Sequence, residues 1–344
     1  MEKDSRQEAL KFWAYAEIRK LNPRVATMQW SMVSGDASFR RYFRWGNEQE
    51  SWICVDAPPE HENSEQFIKV ANMLKPVNAP QVLAYDLTDG FMLLSDLGDQ
   101  LYLPLLQNPS ESNQGVDALY KRAIESLVSM QLIPNASTLP AYDSTLLNNE
   151  MELFREWFLG RYLNYRLSED EHQLLDRTFA QLTQSALEQP QVFVHRDYHS
   201  RNIMYIEGQK PGIIDFQDAV YGPITYDLLS LLRDCYIQWP QDKVLEWVDY
   251  YIEQSPFPLE KQVFIKWFDW MGLQRHIKVA GIFSRLNFRD GKSGYLKDIP
   301  LTLSYILQQA ENYPEMANFY QWLQGIIMPL YRKRIEEDAL GVDV

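Results

Sequence analysis

The chain has 344 residues, 46% of them apolar, which is enough for a sizeable core and long for a single one, so two lobes or domains are expected. A formal charge of −14 and a pI near 4.9 argue against a nucleic-acid-binding surface, which needs clustered Lys and Arg. No apolar run approaches a membrane span, the N-terminus is charged unlike a signal peptide, and Cys54 and Cys235 form no C-x-x-C pair. These features point to a cytoplasmic protein with reduced, buried thiols, and to no nucleic-acid, membrane or obligate protein partner.

In chain order, Ser5 and Glu8 make an S-x-x-E capping box ahead of an amphipathic helix through Leu10, Phe12, Trp13, Ala16 and Ile18. Strands are predicted around 27–33, 41–45 and 51–56, rich in Trp, Val, Phe and Tyr and separated by Ser34-Gly35-Asp36 and Gly46-Asn47. A helix over 64–74 follows, then strands at 81–86 and 91–95 with the turn Thr88-Asp89-Gly90 between them. Beyond Gly98, helical patterns cover 114–132, 145–166, 168–187, 224–237, 243–253, 258–288, 300–312 and 314–337, with a second capping box at Ser168 and Glu171. The exception is 191–216, read as a pair of short strands.

Those strands bracket His195-Arg196-Asp197-Tyr198-His199-Ser200-Arg201-Asn202, and Asp215 follows on the second of them. The stretch matches the protein-kinase signature H-R-D-L-x-x-x-N, with Tyr198 at the Leu. Moving the terminal phosphoryl group of ATP takes positioning and charge neutralisation more than covalent chemistry. One carboxylate must take or orient the proton of the acceptor hydroxyl, which falls to Asp197 as catalytic base. An Asn and a second carboxylate must hold Mg²⁺ over the phosphates, which falls to Asn202 and Asp215. The expected fold is α+β, a protein-kinase-like bilobal plan. A small antiparallel-sheet N-lobe over 1–97 binds the nucleotide and ends in the hinge. A larger, mainly helical C-lobe over 98–344 carries the catalytic loop and the acceptor site.

The segment Gly35 to Arg44 lies where kinases keep a loop over the ATP phosphates, although it has one Gly where they have three. The backbone N–H groups of the loop from Gly35 onward and the Ser38 hydroxyl are suitable donors to phosphate oxygens. The third strand, Trp52 to Ala57, carries Asp56 where V-A-I-K has its phosphate-binding Lys. Arg40, Arg41 or Arg44 is therefore expected to supply the missing cation, with Arg40 and Arg44 on one face and Arg41 on the other. Glu65 reads as a surface residue. Leu93 to Gly98 ends the last N-lobe strand, so the backbone around Ser95 and Leu97 is the expected adenine hinge.

After Asp215 the chain reads Phe216-Gln217-Asp218-Ala219, then reaches a helix with Asp227 at once, leaving no room for a protein-kinase activation loop. A small-molecule acceptor is expected. The sequence resembles the aminoglycoside phosphotransferase/choline kinase superfamily, and more narrowly the bacterial N-acetylmuramate/N-acetylglucosamine kinases of cell-wall recycling. The resemblance covers nearly the whole chain. Four stretches carry it: Gly35–Arg44, Val55-Asp-Ala-Pro-Pro59, His195–Asn202, and Ile214–Ala219 continuing through Gly222–Asp234. It implies ATP-dependent phosphorylation of an amino sugar at its anomeric C1 hydroxyl, with Asp197 as base, Asn202 and Asp215 on Mg²⁺, and Asp227 bracing the catalytic loop. Two other readings stand beside it: a kinase of another small acceptor (aminoglycoside, choline, fructosamine), and a nucleotide-binding pseudokinase, suggested by the absent third-strand Lys.

Overall fold

A computed structural model of the protein describes residues 4–23, 29–35, 39–47, 49–108 and 115–339. The chain forms two compact units, Met1–Pro104 with Arg201–Ala219, and Leu105–Ser200 with Val220–Val344. The first is built on an antiparallel sheet and the second is mainly helical, as the kinase-like plan requires.

Helix α1 (Ser5–Leu21) opens the first unit. Its N-cap is Asp4, whose side chain accepts from Gln7 N at 3.1 Å, so the cap falls one residue before the expected Ser5 and is a single side-chain bond. An ionised carboxylate at the cap is a stronger acceptor than the Ser hydroxyl and also meets the positive end of the helix dipole. The sheet follows, with β1 (Gln29–Gly35), β2 (Arg41–Gly46), β3 (Ser51–Asp56), helix α2 (Ser64–Met73), β4 (Val82–Asp86) and β5 (Phe91–Ser95). The strand order is β1-β2-β3-β5-β4. Register sets Phe43 opposite Cys54 and Cys54 opposite Leu93, so the three share a face. Leu10, Ala14 and Ile18 of α1 bury that face with Phe91. Each buried Leu, Ile or Phe there contributes about 1.5–3 kcal/mol by leaving water. Alternation turns Tyr42, Arg44, Val55, Met92 and Leu94 to the other face.

The boundary between the units falls within α3 (Tyr102–Gln107). The second unit continues through α4 (Gly115–Gln131), α5 (Ser144–Leu153) and α6 (Glu169–Glu188), the last carrying the expected Ser168–Glu171 capping box. Between α5 and α6 the predicted helix continues past 153 but winds as a π-helix over Phe154–Tyr162.

Residues 191–223 depart from the expected single pair of strands. Strand β6 (Gln191–Val194) pairs with β9 (Val220–Pro223), while β7 (Ile203–Met204) pairs with β8 (Gly212–Ile213). The β7–β8 ribbon joins the first unit because its backbone groups are satisfied there. Ile213 N donates to Asn78 O at 2.8 Å, and Tyr205 N to Gln100 O at 2.6 Å. Asp215 lies beyond β8, not on it as expected.

Helix α7 (Tyr226–Leu232) stops short of the predicted 237, because Arg233 leaves helical geometry at φ −117°, ψ 55°. Then come α8 (Gln241–Gln254), α9 (Lys261–Asp290), α10 (Ile299–Glu311), α11 (Ala317–Trp322) and α12 (Met328–Ala339). Helix α9 is the spine of this unit. Its residues from Phe268 to Ala280 are buried on every side, and Leu273, Ile277 and Ala280 pack with Phe154, Phe158 and Leu159 in the main core cluster. Both cysteines are free and buried, and burial pushes the Cys54 thiol up to about 12. Among the described residues no helix is long and apolar enough to cross a membrane.

Candidate functional site

In the helical unit, β6 delivers the chain into His195–Ser200, and two carboxylates pin that loop by its backbone. Asp227 on α7 accepts from His195 N at 2.6 Å and from Arg196 N at 3.0 Å. Asp234, just past α7, accepts from Ser200 N at 3.0 Å and from its hydroxyl at 2.5 Å. Burial pushes Asp227 up to about 7 against the pull of those two N–H donors. Asp227 therefore has the bracing position that the resemblance implies. Tyr198, the departure from Leu, is fully buried, and its hydroxyl donates to Ala123 O at 2.7 Å, so the substitution adds a tether to α4. His195 is also fully buried, and its Nδ1 accepts from Asp197 N at 3.2 Å.

Arg196 is left-handed at φ +77°, a geometry that strains a residue with a Cβ by about 1–3 kcal/mol. That left-handed turn sets the direction in which the chain enters the next residue, Asp197. Burial pushes the Asp197 carboxyl up, but the charges of Lys278, His199, Arg275 and Arg196 overcome it and hold the group below the usual carboxylate range. A carboxylate held that low is a weak base. It suits a transfer in which the hydroxyl is oriented first and its proton leaves late.

In the sheet unit, Asn202 and Asp215 come together across the β7–β8 ribbon. Asn202 Nδ2 lies 3.2 Å from Asp215 Oδ2, and Ile214 N donates to Asn202 O at 3.1 Å. Gln217 Nε2 donates to Asp215 Oδ1 at 2.8 Å. Asp215 is itself left-handed, at φ +65°. An amide oxygen and an exposed carboxylate are hard oxygen donors, the chemistry that Mg²⁺ takes from a protein while phosphates and water complete its shell.

The three arginines separate. Arg41 stands opposite Asp56 on the α1 face, bonded to Asp56 at 2.5 Å and to Asp4. Asp56 also accepts from Arg6 Nη2 at 2.6 Å, so the third-strand acid ties α1 to the sheet. Arg44 bonds Asp96 at 2.5 Å, Asp99 at 2.5 Å and Gly98 O at 3.0 Å, bracing the segment expected as hinge. Arg40 is 4% exposed and pairs with Glu62 at 3.0 Å. Its guanidinium lies over the Phe67 ring, and Phe67 packs on Phe216, the neighbour of Asp215, at 4.9 Å. Glu65 is exposed, as expected.

Of the other expected site residues, Gly35 ends β1 opposite Arg41, and Ser38 lies outside the described residues. The Ser95 hydroxyl accepts from Gln81 N at 2.8 Å, and Leu97 packs where a Cβ on Gly212 would lie, 2.8 Å from it. Glu62, Glu150, Asp234 and Lys278 are site neighbours that sequence reading missed. The spacing of Asp227 and Asp234, seven apart beside an apolar run, was the one available signal. The others meet the loop or the arginines only through tertiary packing.

This arrangement agrees with a family comparison: the model of the phosphotransferase enzyme family matches residues 29–257, which include β1 to β9 and both pinned carboxylates. The chain belongs to that family. Among curated phosphotransferases, it is 42% identical over 301 residues to an N-acetylmuramate/N-acetylglucosamine kinase of Pseudomonas aeruginosa, covering 86% of this chain and 87% of that one. It is also 42% identical over 304 residues to the protein of the same name from Neisseria meningitidis, covering 86% and 90%. In fold it is similar to an ADP-bound aminoglycoside phosphotransferase at TM-score 0.56, with 15% identity, covering 84% of this chain and 97% of that one.

Proposed function

We propose that this phosphotransferase moves the γ-phosphoryl group of ATP to the anomeric C1 hydroxyl of N-acetylmuramate or N-acetylglucosamine, giving a sugar 1-phosphate and ADP. The near-full-length identity to kinases of that name carries the choice of acceptor. The pinned 195–200 loop and the Asn202–Asp215 pair support the chemistry. Asp197 orients the acceptor hydroxyl and takes its proton as the new oxygen–phosphorus bond forms and the bond to ADP breaks. Asn202 and Asp215 would hold Mg²⁺, which neutralises phosphate charge when bound. The backbone from Ser95 to Leu97 would receive adenine, with Gly35 and Ser38 over the phosphates. The sheet unit would thus bind nucleotide, and the helical unit the acceptor. An ATP-dependent enzyme with two reduced thiols fits the cytoplasm.

A coupled ADP-release assay with Mg-ATP tests the reading across N-acetylmuramate, N-acetylglucosamine, an aminoglycoside, choline and a fructosamine. Turnover on the two amino sugars is expected, with a phosphorus NMR signal coupled to the anomeric proton. Preferred turnover of another acceptor would overturn the sugar assignment. No turnover with any of them, alongside tight nucleotide binding, would mark a pseudokinase.

Arg40 is the cation proposed to replace the third-strand Lys, because it pairs with Glu62 and lies over Phe67, the ring that packs on Phe216 next to Asp215, whereas Arg41 ties α1 to the sheet and Arg44 braces the segment around Asp96. Arg40→Ala is expected to lower kcat/KM for ATP at least about tenfold, the scale of a lost phosphate-facing Arg. Arg41→Ala should instead lower the melting temperature and leave the kinetics near those of the parent. The reverse pattern would remove Arg40 from the site.

A further inference from the structure

Glu150 on α5 and Lys278 on α9 lie inside the helical unit and belong to none of the motifs read from the sequence. Both are nearly inaccessible, at 5% and 7% exposure. Glu150 Oε1 accepts from Arg196 Nη2 at 2.5 Å and from Lys278 Nζ at 2.8 Å. Its Oε2 accepts from the Tyr142 hydroxyl and from Gln274 Nε2 at 3.3 Å. Lys278 Nζ donates on to the Tyr226 hydroxyl at 3.0 Å. The helices meet closely enough for this because α9 carries Gly281 one turn after Lys278. A Cβ there would lie 2.3 Å from the Leu153 backbone, one turn after Glu150.

The cluster holds one carboxylate against two cations, an arrangement that costs stability unless the surplus charge is answered. Asp197, which follows Arg196 directly, feels the charges of both Lys278 and Arg196. Arg196 is gripped at both ends. Its backbone N–H goes to Asp227, next to Tyr226, and its guanidinium goes to Glu150. We infer that the Glu150–Lys278 pair is a positioning device for phosphoryl transfer, fixing left-handed Arg196 and supplying the counter-charge that sets the orientation of the Asp197 carboxylate. Neither side chain touches substrate; each acts through Asp197. The inference rests on the assignment of Asp197 as base.

Full-length Lys278→Met tests it, because Glu150 keeps Arg196 as partner and no buried charge is left alone. A misplaced catalytic group costs roughly 10- to 100-fold in kcat. That loss is expected with KM for ATP, and ADP affinity by calorimetry, within about twofold of the parent. Lys278→Arg, which keeps the charge, should recover most of the rate. Parent-level kcat in Lys278→Met would overturn the inference. So would equal losses of kcat and nucleotide binding, or an Arg variant as slow as the Met variant. Should Lys278→Met not fold, Tyr226→Phe decides, since it removes only the hydroxyl bonded to Lys278. A kcat fall of about threefold or more at unchanged KM supports the device, and parent-level kcat overturns it. Rates are taken as ratios to the parent on whichever acceptor of the panel it uses. Failure of the sugar assignment therefore shows in the parent, and failure of this inference only in the ratio.

Discussion

Asp215→Asn is expected to abolish turnover, with kcat down by about 10³-fold or more, and to weaken Mg-ATP binding while leaving metal-free ADP binding nearly unchanged. The size follows from the negative charge that the substitution removes. Asp215 is the carboxylate that the β7–β8 ribbon brings to Asn202, at 3.2 Å. An amide cannot neutralise a metal facing several phosphate charges. Asn is chosen over Ala because the site is left-handed at φ +65°, a conformation Asn accepts and Ala resists. The melting temperature should therefore stay near that of the parent, separating lost chemistry from lost fold. Titration calorimetry with Mg-ATP is the check, and affinity equal to the parent's would show that Asp215 is not a ligand.

Asp197→Asn should lower kcat by about 10²- to 10⁴-fold, the usual scale of a general base, with KM for ATP almost unmoved. The shape of the side chain is kept, and the loop is pinned through other residues: Asp227 to His195 N and Arg196 N, Asp234 to Ser200. The backbone bonds that pin the loop are kept, so the effect reports on the carboxylate's charge, its proton acceptance and its orientation of the hydroxyl. The residual rate is informative. Because neighbouring cations hold Asp197 low, it is a weak base, and a fall near the lower end of the range would mean that orientation carries most of its contribution. Turnover near that of the parent in pure Asp197→Asn protein would sink the assignment.

The candidate site residues stood out because their spacing is local. A strand, a pinned loop and an Asn five residues after the Asp must be contiguous for the loop to close, and sequence displays contiguity directly. Strand alternation was legible for the same reason. A period of two put Arg40 and Arg44 on one face and Arg41 on the other; the β2–β3 register keeps Arg41 and Arg44 on opposite faces, while Arg40 lies just before β2. Asp56 was visible as an anomaly, a carboxylate where a Lys was expected. Its meaning was not, because its partners Arg6 and Arg41 reach it from a helix fifty residues earlier and a neighbouring strand.

The sequence by itself determined the family chemistry, the sheet-then-helix order of elements and most element boundaries, since each is written in short-range periodicity, caps and contiguous motifs. Only the tertiary structure decided which carboxylate meets which cation: Glu62 rather than Glu65 for Arg40, Glu150 for Arg196 and Lys278, Asp234 for Ser200. It alone also placed the β7–β8 ribbon, with Asn202 and Asp215, in the sheet unit more than a hundred residues upstream. The physical reason is the same in every case. A buried charge or an open strand edge takes whatever partner the packing brings within hydrogen-bond reach, and that partner leaves no periodic trace along the chain.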